Sequence, residues 1–213
     1  MMNFKDYFSK QSADYKRYRP QYPRELFEYI ATQCTERHVA LDCATGNGQA
    51  AIALAEFFDR VIGIDGSSAQ LSHAHQHERV EYRQASAENT GLADHSVDCV
   101  TVAQAFHWFD FDAFFEEVKR VVVPGGIVAL WCYPIIHAMD KQVDHQLQSF
   151  YHDTIGPYWP PERRFIDERY QTFHLPFDEI ESPLFSQEKH WSVEDLSGYL
   201  STWSSVQKYK DQH

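Results

Sequence analysis

Five short strand-like runs recur between residues 39 and 133, and segments with helical periodicity separate them. The runs lie at residues 39–43, 61–64, 80–84, 96–104 and 127–133. Apolar runs of this length that alternate with amphipathic helices favour a parallel sheet buried on both faces. The pattern therefore predicts an α/β fold in which helices flank a mostly parallel, twisted sheet.

The length of 213 residues predicts a single domain, since it suffices for one hydrophobic core. Residues 1–38 form an aromatic-rich arm ahead of the core at 39–133. Residues 134–180 lose the repeating pattern and predict a helical insertion after the fifth strand, over the carboxyl edge of the sheet. Residues 181–213 predict an edge strand at 185–191 and then a C-terminal helix.

Charge and composition narrow the classes of partner. The net charge is −12 and the 19 lysines and arginines form no run, so a nucleic-acid partner is disfavoured. No apolar run could span a bilayer or act as a signal segment. The four cysteines lack C-x-x-C spacing, which favours a reducing cytoplasm. His73 and His77 share one face of a predicted helix, but no third ligand is apparent, so no metal site is predicted.

The first β-α-β unit carries the candidate ligand site. A buried strand runs into a glycine-rich turn at residues 44–48, a small-residue helix follows, and the second strand ends on Asp65. Gly46 and Gly48 permit a turn closed to bulkier residues and let a ligand approach the backbone. An acid at the position of Asp65 can accept two hydrogen bonds from ribose hydroxyls.

Two ligand classes use such a unit. Residues 46–51 nominally satisfy the G-x-G-x-x-A dinucleotide pattern, so an NAD-dependent oxidoreductase is one alternative. In dinucleotide folds, however, the first glycine follows directly on the strand, whereas here Asp42 stands four residues before Gly46. A carboxylate aimed at the turn repels a pyrophosphate and favours a cationic ligand, such as a sulfonium.

Asp42, Gly46 and Gly48, followed by Asp65, resemble the first two motifs of class I S-adenosylmethionine-dependent methyltransferases, here of methyltransferase type 11. The series F-x(6)-Y-x(3)-R-P-x-Y-P at residues 8–23 is similar to the N-terminal signature of small-molecule enzymes related to trans-aconitate methyltransferase. The resemblance implies a Rossmann-like sheet with S-adenosyl-L-methionine as the cofactor and S-adenosyl-L-homocysteine as its product.

The resemblance also implies residue roles. In the family, the segment that matches residues 104–109 lines the methionine part of the donor and the acceptor pocket. Aromatic residues of the arm close over the donor, an arginine meets its carboxylate, and an acid, here replaced by Ser86, meets the adenine. The implied catalytic residues are His107 and Trp108. The implied cofactor-binding residues are Tyr15, Arg19, Asp42, Ala44, Thr45, Gly46, Gly48, Asp65, Gly66, Ser86, Ala87, Gln104 and Ala105.

The expected function is methyl transfer to a small-molecule acceptor, with a carboxylic acid as one candidate. The alternative from another class is a non-catalytic protein that binds S-adenosylmethionine. His107 could act as a general base for a hydroxyl or amine acceptor, whereas a carboxylate needs none. The expected state is a monomer or homodimer without nucleic-acid or membrane partners. The family usually adds a final antiparallel strand beside the fifth strand, and without it that edge of the sheet is unpaired. Either this sequence is truncated relative to its relatives, or a neighbouring chain covers the edge.

Overall fold

Five strands and their flanking helices form the architecture. The computed structural model describes Tyr18 and residues 20–213. The strands are β1 (Val39–Cys43), β2 (Arg60–Asp65), β3 (Val80–Gln84), β4 (Val97–Ala103) and β5 (Val122–Trp131). The α-helices are α1 (Arg24–Gln33), α2 (Gln49–Leu54), α3 (Ser68–Ser72), α4 (Phe111–Val121), α5 (Lys141–Ser149), α6 (Arg163–Asp167), α7 (Val193–Ser201) and α8 (Ser204–Gln212). Shorter helical turns are Phe106–Trp108, Phe150–Thr154 and Gly156–Tyr158.

The strand order is β3-β2-β1-β4-β5, and every neighbouring pair is parallel. In the centre of the sheet, Leu41 of β1 lies opposite Ile62 of β2 and Val100 of β4. The chain leaves β1 towards β2 and later returns to β4 on the other side of β1. An α/β sheet forms its ligand crevice at the carboxyl ends of strands where the order reverses in this way. The predicted α/β fold with a parallel sheet is confirmed.

Both faces of the sheet are buried, as the apolar strands predict. Ala40 belongs to a cluster with α1 and α2, in which Phe27 and Leu54 are fully buried. Leu41 belongs to the opposite cluster with α4, whose Phe114 is also fully buried. Burial of each large apolar side chain stabilises the fold by about 1.5–3 kcal/mol. The two layers therefore hold the carboxyl ends of the strands in fixed positions.

Strand β5 begins earlier than predicted and forms one edge of the sheet. It starts at Val122, so that residues 124–126 lie inside the strand instead of forming a separate turn before it. The backbone of Gly125 has a φ of +78°, and the pairing register with β4 shifts in this region. A Cβ on Gly126 would lie 2.5 Å from the Val122 side chain, so only glycine fits this irregularity. A groove of about 2150 Å³ runs along β5.

Helix α3 is shorter than predicted because its continuation is attached to the glycine turn. The sequence predicts Ser67 or Ser68 as the cap, and Ser67 accepts a 3.3 Å hydrogen bond from the Gln70 amide. The sequence predicts a helix to about residue 77, but the helix ends at Ser72. Beyond it, the His75 amide donates to the carbonyl of Asn47 at 3.1 Å. This long-range bond directs the chain away from the helix axis.

The late helices form a layer with its own hydrophobic cluster. We call α5 to α8, with the turns at Phe150–Thr154 and Gly156–Tyr158, the helical cap. Its buried side chains include Tyr151, Tyr199 and Trp203. The predicted C-terminal helix is present but breaks between α7 and α8. No helix among the residues described has the length and apolar character needed to cross a membrane.

The predicted edge strand at 185–191 is wrong, because these residues form no strand in the structure. Phe185 instead contacts Tyr29 of α1, with ring centroids 5.8 Å apart. The Tyr29 hydroxyl also donates a 2.8 Å hydrogen bond to the Glu181 carbonyl. Contacts with side chains of α1 thus hold residues 185–191. The weak alternation of apolar and polar residues in this segment does not indicate these contacts. Ser192 and Asp195 form a capping box at the start of α7.

Candidate functional site

Residues in the left-handed backbone region mark the two turns that leave β1 and β4. Ala44, Gly46 and Gly48 have φ values of +52°, +58° and +84°, and Gln104 has +58°. A positive φ is costly for residues with a Cβ, so Ala44 and Gln104 hold local strain that the surrounding structure must stabilise. Because β1 and β4 are neighbours, the two turns lie side by side at the carboxyl edge of the sheet.

Hydrogen bonds fix the glycine turn against β2. One carboxylate oxygen of Asp65, Oδ2, accepts from the Gly46 amide at 2.8 Å, and Oδ1 accepts from the Ser67 amide at 2.8 Å. The Thr45 amide donates to the Ile64 carbonyl at 2.9 Å. Above Gly46 the site is open, since an added Cβ would meet only one side-chain oxygen at 3.9 Å. The turn therefore offers exposed backbone beside a fixed carboxylate.

Asp42 lies beneath the turn and does not face the crevice directly. Its side chain is 1% exposed, and its two oxygens accept from the Thr45 hydroxyl at 2.5 Å and the Thr101 hydroxyl at 2.8 Å. Burial raises the pKa of Asp42 to about 6. The expectation of a carboxylate aimed at a ligand is therefore corrected: Asp42 acts on the turn through Thr45 and through its charge.

The loop after β3 lies on the other side of Asp65. Ser86 is exposed and Ala87 is buried. Glu88 accepts a 3.1 Å hydrogen bond from the Asp110 amide, which ties this loop to the start of α4. The carbonyl of Gly66 accepts from the Gln84 side chain at 3.1 Å. The structure thus brings the predicted adenine segment to the same edge of the sheet as the glycine turn.

The turn after β4 is fixed by backbone contacts with β5. The Gln104 amide donates to the Trp131 carbonyl at 3.0 Å, and the Gln104 side chain donates to the Tyr133 carbonyl at 3.2 Å. The Ala105 carbonyl accepts from the Trp108 amide at 2.9 Å, which closes the helical turn Phe106–Trp108. The backbone of Gln104 is thus held by β5 and its side chain by the segment just after β5, next to the predicted catalytic segment.

His107 is buried in this turn and is neutral near pH 7. Its Nδ1 lies 3.0 Å from the Tyr170 hydroxyl, and the His107 ring lies 4.6 Å from that of Trp108. Burial, and then the positive charge of Arg163, lowers the pKa of His107 to about 3. A histidine with so low a pKa is too weak a base to activate a hydroxyl or amine effectively.

Arg163 approaches His107 from the helical cap. Its Nε donates to the Tyr151 hydroxyl at 2.6 Å and lies 3.5 Å from Asp167 Oδ1. The guanidinium carbon lies 4.6 Å from the centre of the Trp159 ring. Among the residues that the structure describes, these polar contacts use Nε only. The two terminal nitrogens of the guanidinium can therefore bind a further group.

Sequence reasoning missed Thr101 and Tyr170. Thr101 could have been found, because it is a polar residue between Val100 and Val102 in the buried strand β4. Tyr170 carried no comparable signal: it reaches His107 because Arg169 and Tyr170 both adopt positive φ values after α6. Of the other predicted residues, Tyr15 and Arg19 lie outside the part of the chain that is described. Within that part, no group of three potential metal ligands is present.

Comparison with known proteins identifies relatives over nearly the whole chain. A family model for a methyltransferase domain matches residues 41–130. A Dictyostelium discoideum protein named as a methyltransferase is 40% identical over 206 residues, which cover 94% of this chain and 78% of that one. A Saccharomyces cerevisiae protein named as an S-adenosylmethionine-dependent methyltransferase is 32% identical over 132 residues, which cover 58% of this chain and 45% of that one.

A solved structure shares the fold described above. The structure reported as a type II methyltransferase from Anaeromyxobacter dehalogenans is 42% identical to this chain and superposes with a TM-score of 0.84. The alignment covers 91% of this chain and 82% of that structure. The similarity therefore includes both the sheet and most of the later helices.

Proposed function

This chain belongs to the class I S-adenosylmethionine-dependent methyltransferases, and we propose that it methylates the carboxylate of a small organic acid. S-Adenosylmethionine is the methyl donor of this family. The nature of the acceptor rests on the residues of this chain. The donor-binding roles of individual residues are likewise part of the proposal.

The hydrogen bond from the Gly46 amide to Asp65 carries the donor assignment. In dinucleotide-binding folds, the amides of this turn bind pyrophosphate. Here a carboxylate accepts from the Gly46 amide at 2.8 Å, and a phosphate at this position would meet its negative charge. This observation supports a nucleoside without phosphates and weighs against an NAD-dependent oxidoreductase.

The residues at the turn fit a cationic nucleoside. Each carboxylate oxygen can accept more than one hydrogen bond, so Asp65 can bind ribose hydroxyls while it holds the turn. The open backbone at Gly46 allows a close approach, and Asp42 beneath it adds a second negative charge when ionised. We assign Ser86 and Ala87 to the adenine. The methionine end falls to Gln104 and Ala105, and to the arm residues Tyr15 and Arg19.

Two observations support an acidic acceptor. Neutral His107 supplies no strong base, so the acceptor is best matched by a nucleophile that is already ionised. Arg163 lies close enough to His107 for its charge to lower the pKa of that ring, and an arginine fork binds a carboxylate through two charge-assisted hydrogen bonds. The net charge of −12 also disfavours a nucleic-acid acceptor.

The chain would act mainly by alignment. When bound, the donor would supply an activated methyl group to the acceptor oxygen, and the carbon–sulfur electron pair would go to sulfur. Arg163 would orient the acid, and the buried rings of Phe106 and His107 would exclude water from the reacting oxygen. Well-oriented intramolecular systems gain up to about 7–11 kcal/mol from such positioning. No proton needs to move.

Calorimetry with S-adenosylhomocysteine tests the donor site. The wild-type chain should bind it, and Asp65→Asn should weaken binding about tenfold or more, because a charged hydrogen-bond acceptor is lost. Asp59→Asn, at the opposite end of β2, removes the same charge and should leave the affinity unchanged. The assignment fails if the folded wild-type chain shows no binding at millimolar ligand, or if NAD binds instead.

Methyl ester formation from a panel of small acids and their matching amides tests the acceptor. Acids should be methylated and amides should not. Arg163→Gln should raise the KM for the acid about tenfold or more, with the S-adenosylhomocysteine affinity unchanged. Arg164→Gln is the matched control, since its exposed guanidinium lies over Phe165 instead. Equal KM values for both variants would contradict the proposed role of Arg163.

A non-catalytic binding protein is the alternative that this panel addresses. It would bind S-adenosylhomocysteine and yield no methylated product with any acid, amine or hydroxyl compound. We further propose a cytoplasmic location and a monomeric or homodimeric state. The four free cysteines, three of them buried, support a reducing compartment.

A further inference from the structure

The ring of Tyr82 crosses from β3 to the glycine turn over bare backbone. Tyr82 lies opposite Gly63 of β2 in the parallel register. A Cβ on Gly63 would lie 2.9 Å from two carbons of the Tyr82 ring. Real Cβ contacts are longer than this, so the ring occupies space that only glycine leaves open. Gly63 thus allows an aromatic side chain to lie flat against β2.

The hydroxyl end of the same ring contacts the end of the glycine turn. A Cβ on Gly48 would lie 2.0 Å from the Tyr82 hydroxyl oxygen, which excludes any side chain at that position. Gly48 also has a φ of +84°, so backbone conformation and close contact both require glycine there. Two glycines from different elements therefore accommodate one tyrosine.

Hydrogen bonds connect the tyrosine to the turn through the segment after α3. The Tyr82 hydroxyl donates to the His75 carbonyl at 2.9 Å, and the His75 amide donates to the Asn47 carbonyl at 3.1 Å. Burial, and then the charge of Asp42, raises the pKa of Tyr82 to about 12, so the phenol keeps its proton. The connection thus runs from β3 through His75 to the residue between the two turn glycines.

We propose that Tyr82 is a positioning residue that holds the glycine turn in its ligand-binding conformation. The consequence for binding rests on the proposed donor site. Asn47 lies between Gly46, whose amide binds Asp65, and Gly48, which contacts the ring. Loss of the phenol hydroxyl would release His75 and, through it, the turn. The ligand would then have to restore that order on binding.

The test compares two tyrosines whose hydroxyls make the same kind of bond. Tyr82→Phe keeps the ring but removes the bond to the His75 carbonyl. Tyr29→Phe, on α1 and away from the turn, removes a 2.8 Å hydrogen bond to the Glu181 carbonyl. Calorimetry measures S-adenosylhomocysteine affinity, and hydrogen exchange measures the amides of residues 45–49 and 74–77 without ligand. Thermal unfolding of both variants confirms that they fold.

The expected result is a rise in Kd of about three- to tenfold for Tyr82→Phe and no change for Tyr29→Phe, as one neutral hydrogen bond allows. Exchange at residues 45–49 and 74–77 should accelerate only in Tyr82→Phe. An unchanged Kd for Tyr82→Phe, with wild-type binding intact, would overturn the proposal. If the wild-type chain does not bind S-adenosylhomocysteine, the proposed donor site is refuted, and hydrogen exchange alone tests the role of Tyr82. Faster exchange in Tyr82→Phe than in the wild type then supports Tyr82 as the residue that holds the turn, and equal exchange overturns that role.

Discussion

The buried carboxyl of Asp42 should make the stability of this protein fall as the pH rises. Its pKa increases from 3.8 to about 6 because burial disfavours the charged form. A raised pKa means that the folded chain binds the proton more tightly than the unfolded chain. The stabilisation is therefore complete below about pH 3.8 and is lost as the pH rises through about 6.

The size of this effect follows from the two pKa values. At about 1.36 kcal/mol per pH unit, the raised pKa of Asp42 lowers the free energy of unfolding by about 3 kcal/mol between low and high pH. Roughly half of this is already lost by pH 5, and the other half is lost between pH 5 and pH 8. Asp42→Asn has no charge to bury. Its amide can still pair with the hydroxyls of Thr45 and Thr101, because a hydroxyl can donate or accept.

Urea unfolding of both proteins at pH 5 and pH 8 measures the effect. The free energy of unfolding of Asp42→Asn, minus that of the wild type, should increase by about 1–2 kcal/mol between the two pH values. The subtraction removes the contributions of other titrating groups. Asp178→Asn, at an exposed carboxylate, controls for the loss of one charge and should show no such increase.

A difference that stays constant or decreases from pH 5 to pH 8 would refute the reasoning. The same substitution should weaken S-adenosylhomocysteine binding at pH 8, because the negative charge beneath the turn is gone. Asp42→Asn should therefore be more stable and bind less well, as expected where a charge is buried at a functional site.

Three further predictions concern single residues. Gly48→Ala should lose more stability in urea unfolding than Gly91→Ala. Alanine costs about 1–2 kcal/mol at both positions because both have a positive φ, but only Gly48 also contacts a tyrosine hydroxyl. The ring resonances of His107 should show no titration between pH 5 and pH 8 by NMR, because its pKa is about 3; an inflection near pH 6.5 would contradict its burial. Although burial raises the pKa of Glu117, hydrogen bonds from an arginine one turn along α4 and a loop threonine lower it to about 2. The stabilisation by ionised Glu117 is present above about pH 4.5 and is lost as the pH falls. Glu117→Gln should therefore lower the free energy of unfolding at pH 7 by about 2 kcal/mol or more. Glu116→Gln, exposed on the same helix, should lower it by less than about 1 kcal/mol. An equal loss of unfolding free energy in the two variants would contradict the buried role of Glu117.

The sheet and the glycine turn could be predicted because local sequence determines them. Apolar runs identify buried strands, and Gly46 and Gly48 identify a turn that other residues cannot form. The capping residue Asp110 was also predictable, and the cap of α3 could be narrowed to Ser67 or Ser68, since each observed cap accepts from the amide three positions later. These features depend on neighbours along the chain, where sequence patterns are most reliable.

The remaining features depend on contacts between distant segments. Helix α3 stops early because His75 bonds Asn47, and no local pattern indicates this. The orientation of Asp42 away from the crevice depends on Thr101, which is 59 residues further along the chain. The contact between His107 and Tyr170 requires a strained backbone after α6. The sequence could therefore identify the residues of the site but not their hydrogen-bond partners.

Helix α6 of the helical cap contacts α4 through Phe165 and Phe111, whereas the later part of the cap has a hydrophobic cluster of its own, which bears on how the acceptor enters. Its aromatic cluster around Trp203 is distinct from the two clusters that bury the sheet. A unit with its own cohesion can detach while the rest of the molecule stays folded, at a lower free energy than complete unfolding. Transient release of α7 and α8 would open a path for the small acid, and the donor half of the molecule would remain assembled throughout.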